Sequence, residues 1–280
     1  VRAREGEAGY ALVAAVASVA LFALMALAAL HATRASVITA SAEIDRAKLL
    51  AAADAGIALA LDGLLAEDRT SRWSIDGRTR RVGFDGMTLQ IVVQDERGKI
   101  PLNLMDEGQV RDMFERLGLT GERLDIVTDS FLDWRDEDEE RRPNGAEAED
   151  YAAAGIRPRN GALRSLGELA MIRGLDASLA KRLAPVATVH FGDGSFEPRF
   201  AQPFALEVMG GGDGPAAIER ARELAGQRPA IELGDDVPLT GRPLNILVDS
   251  VGPAGAHAHR SAIVELSGSA LRPYVVLDYE

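Results

Sequence analysis

The chain has 280 residues, 47% of them hydrophobic, and a formal net charge of −12. That acidity argues against a nucleic-acid partner, whose phosphates would repel it, and the absence of cysteine excludes a disulfide framework and thiol chemistry. Length and apolar content suffice for one large domain or two smaller ones, stabilised by packing or by bound ions.

The first element is the run from Gly9 to Leu30, which contains neither a charge nor a proline. At about 1.5 Å per residue it spans roughly 30 Å, the thickness of a bilayer's hydrocarbon core. Ala26-Leu27-Ala28 offers the alternative of a cleaved secretory signal, whose apolar core ordinarily stops at about 7 to 15 residues. Arg2 and Arg4 precede the run and favour a cytoplasmic amino terminus, with the bulk of the chain on the other side of the membrane. Leu50, Ala53, Ile57, Leu61 and Leu64 then continue at helical spacing, with Glu43, Asp45, Arg46, Lys48 and Asp62 on the polar surface. One long helix is the economical reading, and a separate amphipathic helix joined by a loop is the alternative. Gly56 and Gly63 mark places where it can bend.

Strands follow. Thr79 to Phe84 and Met87 to Val93 flank Asp85-Gly86, a dipeptide suited to a two-residue hairpin turn. From Asp106 the pattern turns helical. Val110, Met113, Phe114 and Leu117 form one stripe ending at Gly118, and Leu124, Ile126, Val127, Phe131 and Leu132 form the next. Ser165 and Glu168 suit a capping box before Leu166, Leu169 and Ile172; Gly174 turns the chain into Leu179 and Leu183. A third pair is expected from Phe204, Leu206 and Met209, across Gly210 to Gly212, to Ile218, Ala221 and Leu224. Helical hairpins of this kind bind DNA elsewhere, but the turn Arg173-Gly174-Leu175-Asp176 sets a carboxylate where a phosphate would sit.

Asp133 to Asp150 holds nine acids and three arginines. Crowded carboxylates repel one another, and a hard cation such as Ca²⁺ relieves that repulsion using several oxygen ligands from a loop. Asp133, Asp136, Asp138 and Glu147 are the candidate ligands, while the spacing does not match an EF-hand and a solvated acidic loop is the other reading. Pro243 to Val251, Ser261 to Leu266 and Tyr274 to Tyr279 return to strand character. His257 and His259 are expected in the loop between the first two, as a solvated turn rather than a metal site. No G-x-S-x-G, cysteine nucleophile, HExxH or phosphate-binding glycine loop is present, so no enzyme is expected.

Several of these features resemble one family. A short charged leader, Gly9, then an apolar helix is similar to the signal of type IV pilins and of type II secretion pseudopilins. The resemblance implies that prepilin peptidase cuts after Gly9 and methylates Tyr10, although Tyr10 departs from the usual Phe or Met. Ala14 stands where most such proteins carry glutamate, and the minor pseudopilin K is the member that typically lacks it. Gly98-Lys99-Ile100-Pro101-Leu102-Asn103, Asp133-Trp134-Arg135-Asp136 through Tyr151, and Arg159-Asn160-Gly161-Ala162 resemble the same family. Ser195 to Ala201 occupies the place of its asparagine-rich turn without the asparagines.

The resemblance implies an α+β fold, with a long N-terminal helix, membrane half plus amphipathic half, packed on an antiparallel pseudopilin sheet that carries an inserted all-α helical-hairpin domain. The expected parts are a leader (1–9), a transmembrane helix (10–33), its periplasmic continuation (34–66), the first part of the sheet (72–105), the insertion (106–226) and the second part of the sheet (230–280). It further implies a tip subunit that initiates and caps the secretion pseudopilus. Its partners would be the I- and J-type minor pseudopilins, the major pseudopilin, prepilin peptidase, the inner-membrane secretion platform and membrane lipid. Ca²⁺ is the implied ion, with no organic cofactor. The expected location is the bacterial inner membrane, single-pass, with the C-terminal domain in the periplasm. A membrane-anchored helix-hairpin-helix protein of the DNA-uptake type and a type IV pilus tip subunit are the alternatives.

Overall fold

In the computed structural model, residues 5–68, 71–73, 75, 77–210 and 239–280 are described. The first element is one unbroken helix, α1 (Glu5–Leu65). Every described side chain of α1 between Val13 and Lys48 is exposed, and burial begins at Leu49. From there Ala52, Ala53, Ile57, Ala60, Leu61 and Leu64 repeat at helical spacing and enter a core. Gly56 and Gly63, expected as bending points, are instead sites of close approach. A Cβ on Gly56 would lie 2.6 Å from Val248, and one on Gly63 would lie 2.4 Å from the ring of Trp73.

The hairpin β1 (Arg80–Phe84) and β2 (Met87–Asp95) turns at Asp85 and Gly86, whose φ angles are 46° and 76°. Two positive φ values in succession match a turn whose twist suits flanking strands. Short β3 (Ile100–Pro101) leads into α2 (Glu107–Arg116) and α3 (Gly121–Arg135). A single turn α4 (Ala148–Tyr151), a 3₁₀ turn at Leu166–Met171, α5 (Ala177–Leu183), β4 (Ala187–Thr188) and α6 (Pro203–Met209) follow. The expected continuation of the third helical pair, Ile218 to Leu224, lies outside the described residues. The chain ends in β5 (Pro243–Val251), β6 (His257–Leu266) and β7 (Tyr274–Tyr279).

The main sheet is antiparallel in the order β1-β2-β5-β6-β7. Its centre is the pairing of β2 with β5, Asp95 opposite Leu244 at one end and Thr88 opposite Val251 at the other, so segments far apart in sequence share one register. Leu89, Ile91 and Val93 alternate inward beside Leu244, Ile246 and Val248, and α1 lies across this face over β2, β5 and β6. The Ser250 hydroxyl donates to the Leu49 carbonyl at 2.7 Å and ties β5 to the point where α1 enters the head.

The helices α2 to α6 surround a second core, in which Phe114 meets Phe131 edge to face at 5.6 Å. It joins the sheet through β3 and β4, paired in parallel, and through a buried ionic knot. Arg242 Nε lies 3.0 Å from Asp95 Oδ2, its Nη2 3.6 Å from Glu197, and Arg97 donates to the Gly241 carbonyl. Burial pushes the Asp95 carboxyl above its ordinary range even with Arg242 beside it. Ser195 to Ala201 docks against this knot: the Glu197 N–H donates to the Arg97 carbonyl at 2.8 Å, and a Cβ on Gly98 would lie 2.7 Å from the Phe200 backbone.

Candidate metal centre

The last turn of α3 begins the site. Asp133 is fully buried, and its carboxylate accepts the Arg142 N–H at 3.2 to 3.3 Å. The loop passes so close that a Cβ on Gly145 would lie 1.9 Å from Asp133 Oδ2, so glycine is required there. Trp134 fills the helical core, stacks edge to face on Tyr151 at 5.2 Å, and donates Nε1–H to Glu168 Oε2 at 3.1 Å. That same Glu168 completes the capping box with Ser165; the predicted box is present, though it opens a 3₁₀ turn and not an α-helix. Arg135 reaches the carbonyls of Leu102 and Met105. The three residues before Asp136 thus fix both the helix end and the start of the acidic loop.

Asp136, Asp138 and Glu147 converge, each offering a carboxylate oxygen within 4.8 Å of the other two. Asn160, at a left-handed φ of 44°, holds the group from the side: its Nδ2 donates to the Asp138 carbonyl at 2.7 Å and to Glu147 Oε2 at 3.5 Å. Asp150 takes the Glu147 N–H at 3.0 Å and starts α4. Two oxygens of the cluster, Asp136 Oδ1 and Glu147 Oε1, are buried with no hydrogen-bond partner. Unpartnered buried acceptors are costly. Burial, then the charges of Asp133, Asp136 and Asp138, pushes Glu147 up to about 7, and burial is the main cause of Asp133 rising to about 6. An all-oxygen, anionic donor set with two open buried acceptors fits a hard divalent cation such as Ca²⁺.

Of the four residues named from the sequence, the structure brings three together. Asp133 stands behind them, committed to the loop backbone. The supporting residues missed by composition alone are Asn160, which lies in the Arg159 to Ala162 motif, and Gly145, whose missing Cβ admits Asp133. Asp129 also braces the loop, accepting both the backbone N–H and the side-chain amide of Asn144 at 3.0 Å.

The two other sequence candidates resolve differently. His257 and His259 belong to strand β6 and not to a loop, because the β5–β6 pairing extends to Val251 opposite His257; His259 Nδ1 lies 2.9 Å from Asp249. In the helical hairpin turn, Asp176 caps α5, accepting the N–H groups of Ser178 and Leu179 at 2.9 Å each, and Arg123 lies 2.9 Å from its carboxylate. The cap hydrogen bond from Leu179 is the main reason its carboxyl lies below its ordinary range.

Comparison with known proteins places this architecture. Residues 90–192 match the family described as type II secretion system (T2SS), protein K. The type II secretion system protein K of Dickeya chrysanthemi is 35% identical over 79 residues, which is 28% of this chain and 22% of that protein's length. A chain of the crystal structure of the GspK–GspI–GspJ complex from the enterotoxigenic Escherichia coli type 2 secretion system superposes with a TM-score of 0.62 at 16% identity, covering 85% of this chain and 97% of that one. The matched family segment contains the Asp133 to Tyr151 motif and most of the second core around it, and the likeness to the solved structure shows that the two share a fold.

Proposed function

We propose that this chain is a terminal minor pseudopilin of a type II secretion system, anchored in the bacterial inner membrane with its head in the periplasm, and that it initiates and caps the pseudopilus. The observation that carries the reading is the combination of an uncharged Gly9–Leu30 run, exposed from Val13 on and lacking glutamate at Ala14, with a large helical unit set into the sheet. The long helix exchanges lipid for protein neighbours on assembly, and the helical unit blocks addition of a further subunit above. A glutamate in the bilayer is costly unless a neighbour's amino terminus neutralises it, and a terminal subunit has no neighbour above it to do so. The related crystal structure is of a three-protein complex, which supports I- and J-type minor pseudopilins as partners here, with the major pseudopilin and the inner-membrane platform beyond them. Ca²⁺, held by Asp136, Asp138 and Glu147, would neutralise the acidic loop and fix it to α3.

The alternative of DNA engagement by the Arg173 to Asp176 turn is disfavoured because the N–H groups of Ser178 and Leu179 that would meet a phosphate already serve Asp176.

The test is the amino-terminal mass of the chain recovered from membranes containing active prepilin peptidase. A species beginning at methylated Tyr10 is expected. A species beginning just after Ala28 would make the protein a secreted soluble one and end the filament reading, and an uncut chain would make it an ordinary signal anchor.

A further inference from the structure

The outer face of the main sheet, turned away from α1, carries two histidines in an arrangement that a loop would not provide. His257 and His259 both lie in β6, and the residue next to them points the other way: Arg260 stands opposite buried Val248 and reaches Asp54 of α1 at 3.1 Å. A strand turns every second side chain to the same face, so the two imidazoles leave the sheet side by side from Cα atoms about 7 Å apart. Both are exposed. Their backbone is held in a regular ladder, with Val251 paired to His257 and Asp249 to His259. Just beyond, the Gly252 N–H donates to the Ala256 carbonyl at 2.7 Å and closes the hairpin.

The second observation is Asp249, whose Oδ1 lies 2.9 Å from His259 Nδ1. An ionised carboxylate only accepts hydrogen bonds, so Nδ1 carries the hydrogen and the lone pair of the neutral ring is left on Nε2. A metal-ligating histidine ordinarily has this support: a carboxylate behind the ring fixes its tautomer and orientation and raises the basicity of the ligating nitrogen. His259 therefore presents a prepared ligand atom two residues from a second imidazole on the same face.

The donor type decides the ion. Imidazole nitrogens suit first-row transition ions such as zinc, nickel and copper, whereas Ca²⁺ takes oxygen ligands. This separates the pair from Asp136, Asp138 and Glu147, which offer carboxylate oxygen alone. With metal–nitrogen bonds of about 2.0 to 2.1 Å, two nitrogens on one tetrahedral ion stand about 3.3 Å apart. Two rings leaning toward each other from neighbouring same-face positions can meet that spacing. We infer that His257 and His259 chelate one divalent transition ion, through His259 Nε2 and a ring nitrogen of His257, and that Asp249 is the positioning residue for His259. Water fills the remaining coordination positions. The site stands apart from the terminal-subunit reading and does not depend on it.

The test uses the full chain in detergent, purified without a polyhistidine tag and kept in about 1 mM Ca²⁺ so that the acidic loop is supplied with its own ion. Cu²⁺ is the probe, because such donors hold it most tightly among these ions. Calorimetry should give one ion per chain with micromolar affinity, and electron paramagnetic resonance should show two imidazole nitrogens bound to it. His257→Gln and His259→Gln should each weaken binding at least tenfold, and Asp249→Asn about tenfold with both nitrogens retained. These positions are exposed, so the metal-free melting temperatures should match the wild type and separate lost binding from lost fold. His190 lines the cleft on the same face, with Nε2 3.8 Å from Asp278, and His190→Gln should leave the affinity unchanged. A copper signal without coupled nitrogen, or binding that survives in the double variant of His257→Gln with His259→Gln, would overturn the site. An equal loss in His190→Gln would overturn it in favour of a different histidine, and unchanged affinity in Asp249→Asn would overturn the role given to Asp249.

Discussion

Glu147 illustrates how a single side chain can set the conditions under which a loop is stable. Its carboxyl is raised to about 7 by burial first and by Asp133, Asp136 and Asp138 next, and Asp133 behind it is raised to about 6. Both native values lie above those of an unfolded chain, so the native state holds more protons in the interval between about pH 4 and pH 7. In a chelator the contribution to stability is therefore fully present below that interval and is lost as pH rises through it. For Glu147 alone the loss is on the order of 3 kcal/mol, since each tenfold change in proton affinity is worth about 1.4 kcal/mol. A cation bound to Asp136, Asp138 and Glu147 neutralises the same charges, so at pH 8 about 1 mM Ca²⁺ should raise the denaturation midpoint above that in chelator. Glu147→Gln should flatten the pH slope and abolish the response to Ca²⁺. Identical midpoints with and without Ca²⁺ at pH 8 would show that these carboxylates hold no ion. The acids of this loop were legible in the sequence, and so was the idea of a cation among them. Which of them converge was not, because Asp133 is withdrawn by the Arg142 N–H and by the missing Cβ of Gly145, and neither effect has a compositional signature.

At the scale of elements, what was readable was local. Asp85-Gly86 sets its own backbone and so announces the β1–β2 hairpin; Ser165 and Glu168 announce their capping box. The long helix was readable because its apolar period continues past the membrane run. What escaped depended on distant partners. The His257 to Arg260 half of β6 looked like loop because polar residues interrupt it, yet β5 supplies a full antiparallel register there. Gly56 and Gly63 looked like weaknesses in α1 because only the positions of Val248 and Trp73 reveal them as contacts. This gives a direct test of how α1 is seated. Gly56→Leu should press against Val248 at the centre of the sheet and destabilise the head by about 1 to 3 kcal/mol, the usual range for overpacking a core, although leucine favours helix. Chemical denaturation measures it. A stabilised variant would mean that helix propensity outweighs the contact and that α1 sits less tightly on β5 than the 2.6 Å approach implies.

For the whole molecule the decisive asymmetry is between the two ends of α1. Its head-proximal end is committed to one sheet, with Ser250 donating to the Leu49 carbonyl. Its other end is exposed at each described side chain from Val13 to Lys48, and its first stretch is apolar enough for a membrane or for other helices. Under the terminal-subunit reading proposed above, leaving the membrane for a filament requires each apolar helix to find protein neighbours as compatible as lipid. A buried glutamate paired with an adjacent amino terminus would fix the axial position of a subunit, and Ala14 omits that constraint. Ala14→Glu reintroduces it: a carboxylate inside the bilayer with no subunit above to neutralise it is costly. The variant should therefore move from the filament end toward internal positions, where the pairing is available, and filaments should initiate less often. Immunogold labelling of this subunit, together with filament counts, reads both effects. Wild-type counts with the label still confined to filament ends would show that the residue at position 14 does not decide where the subunit sits.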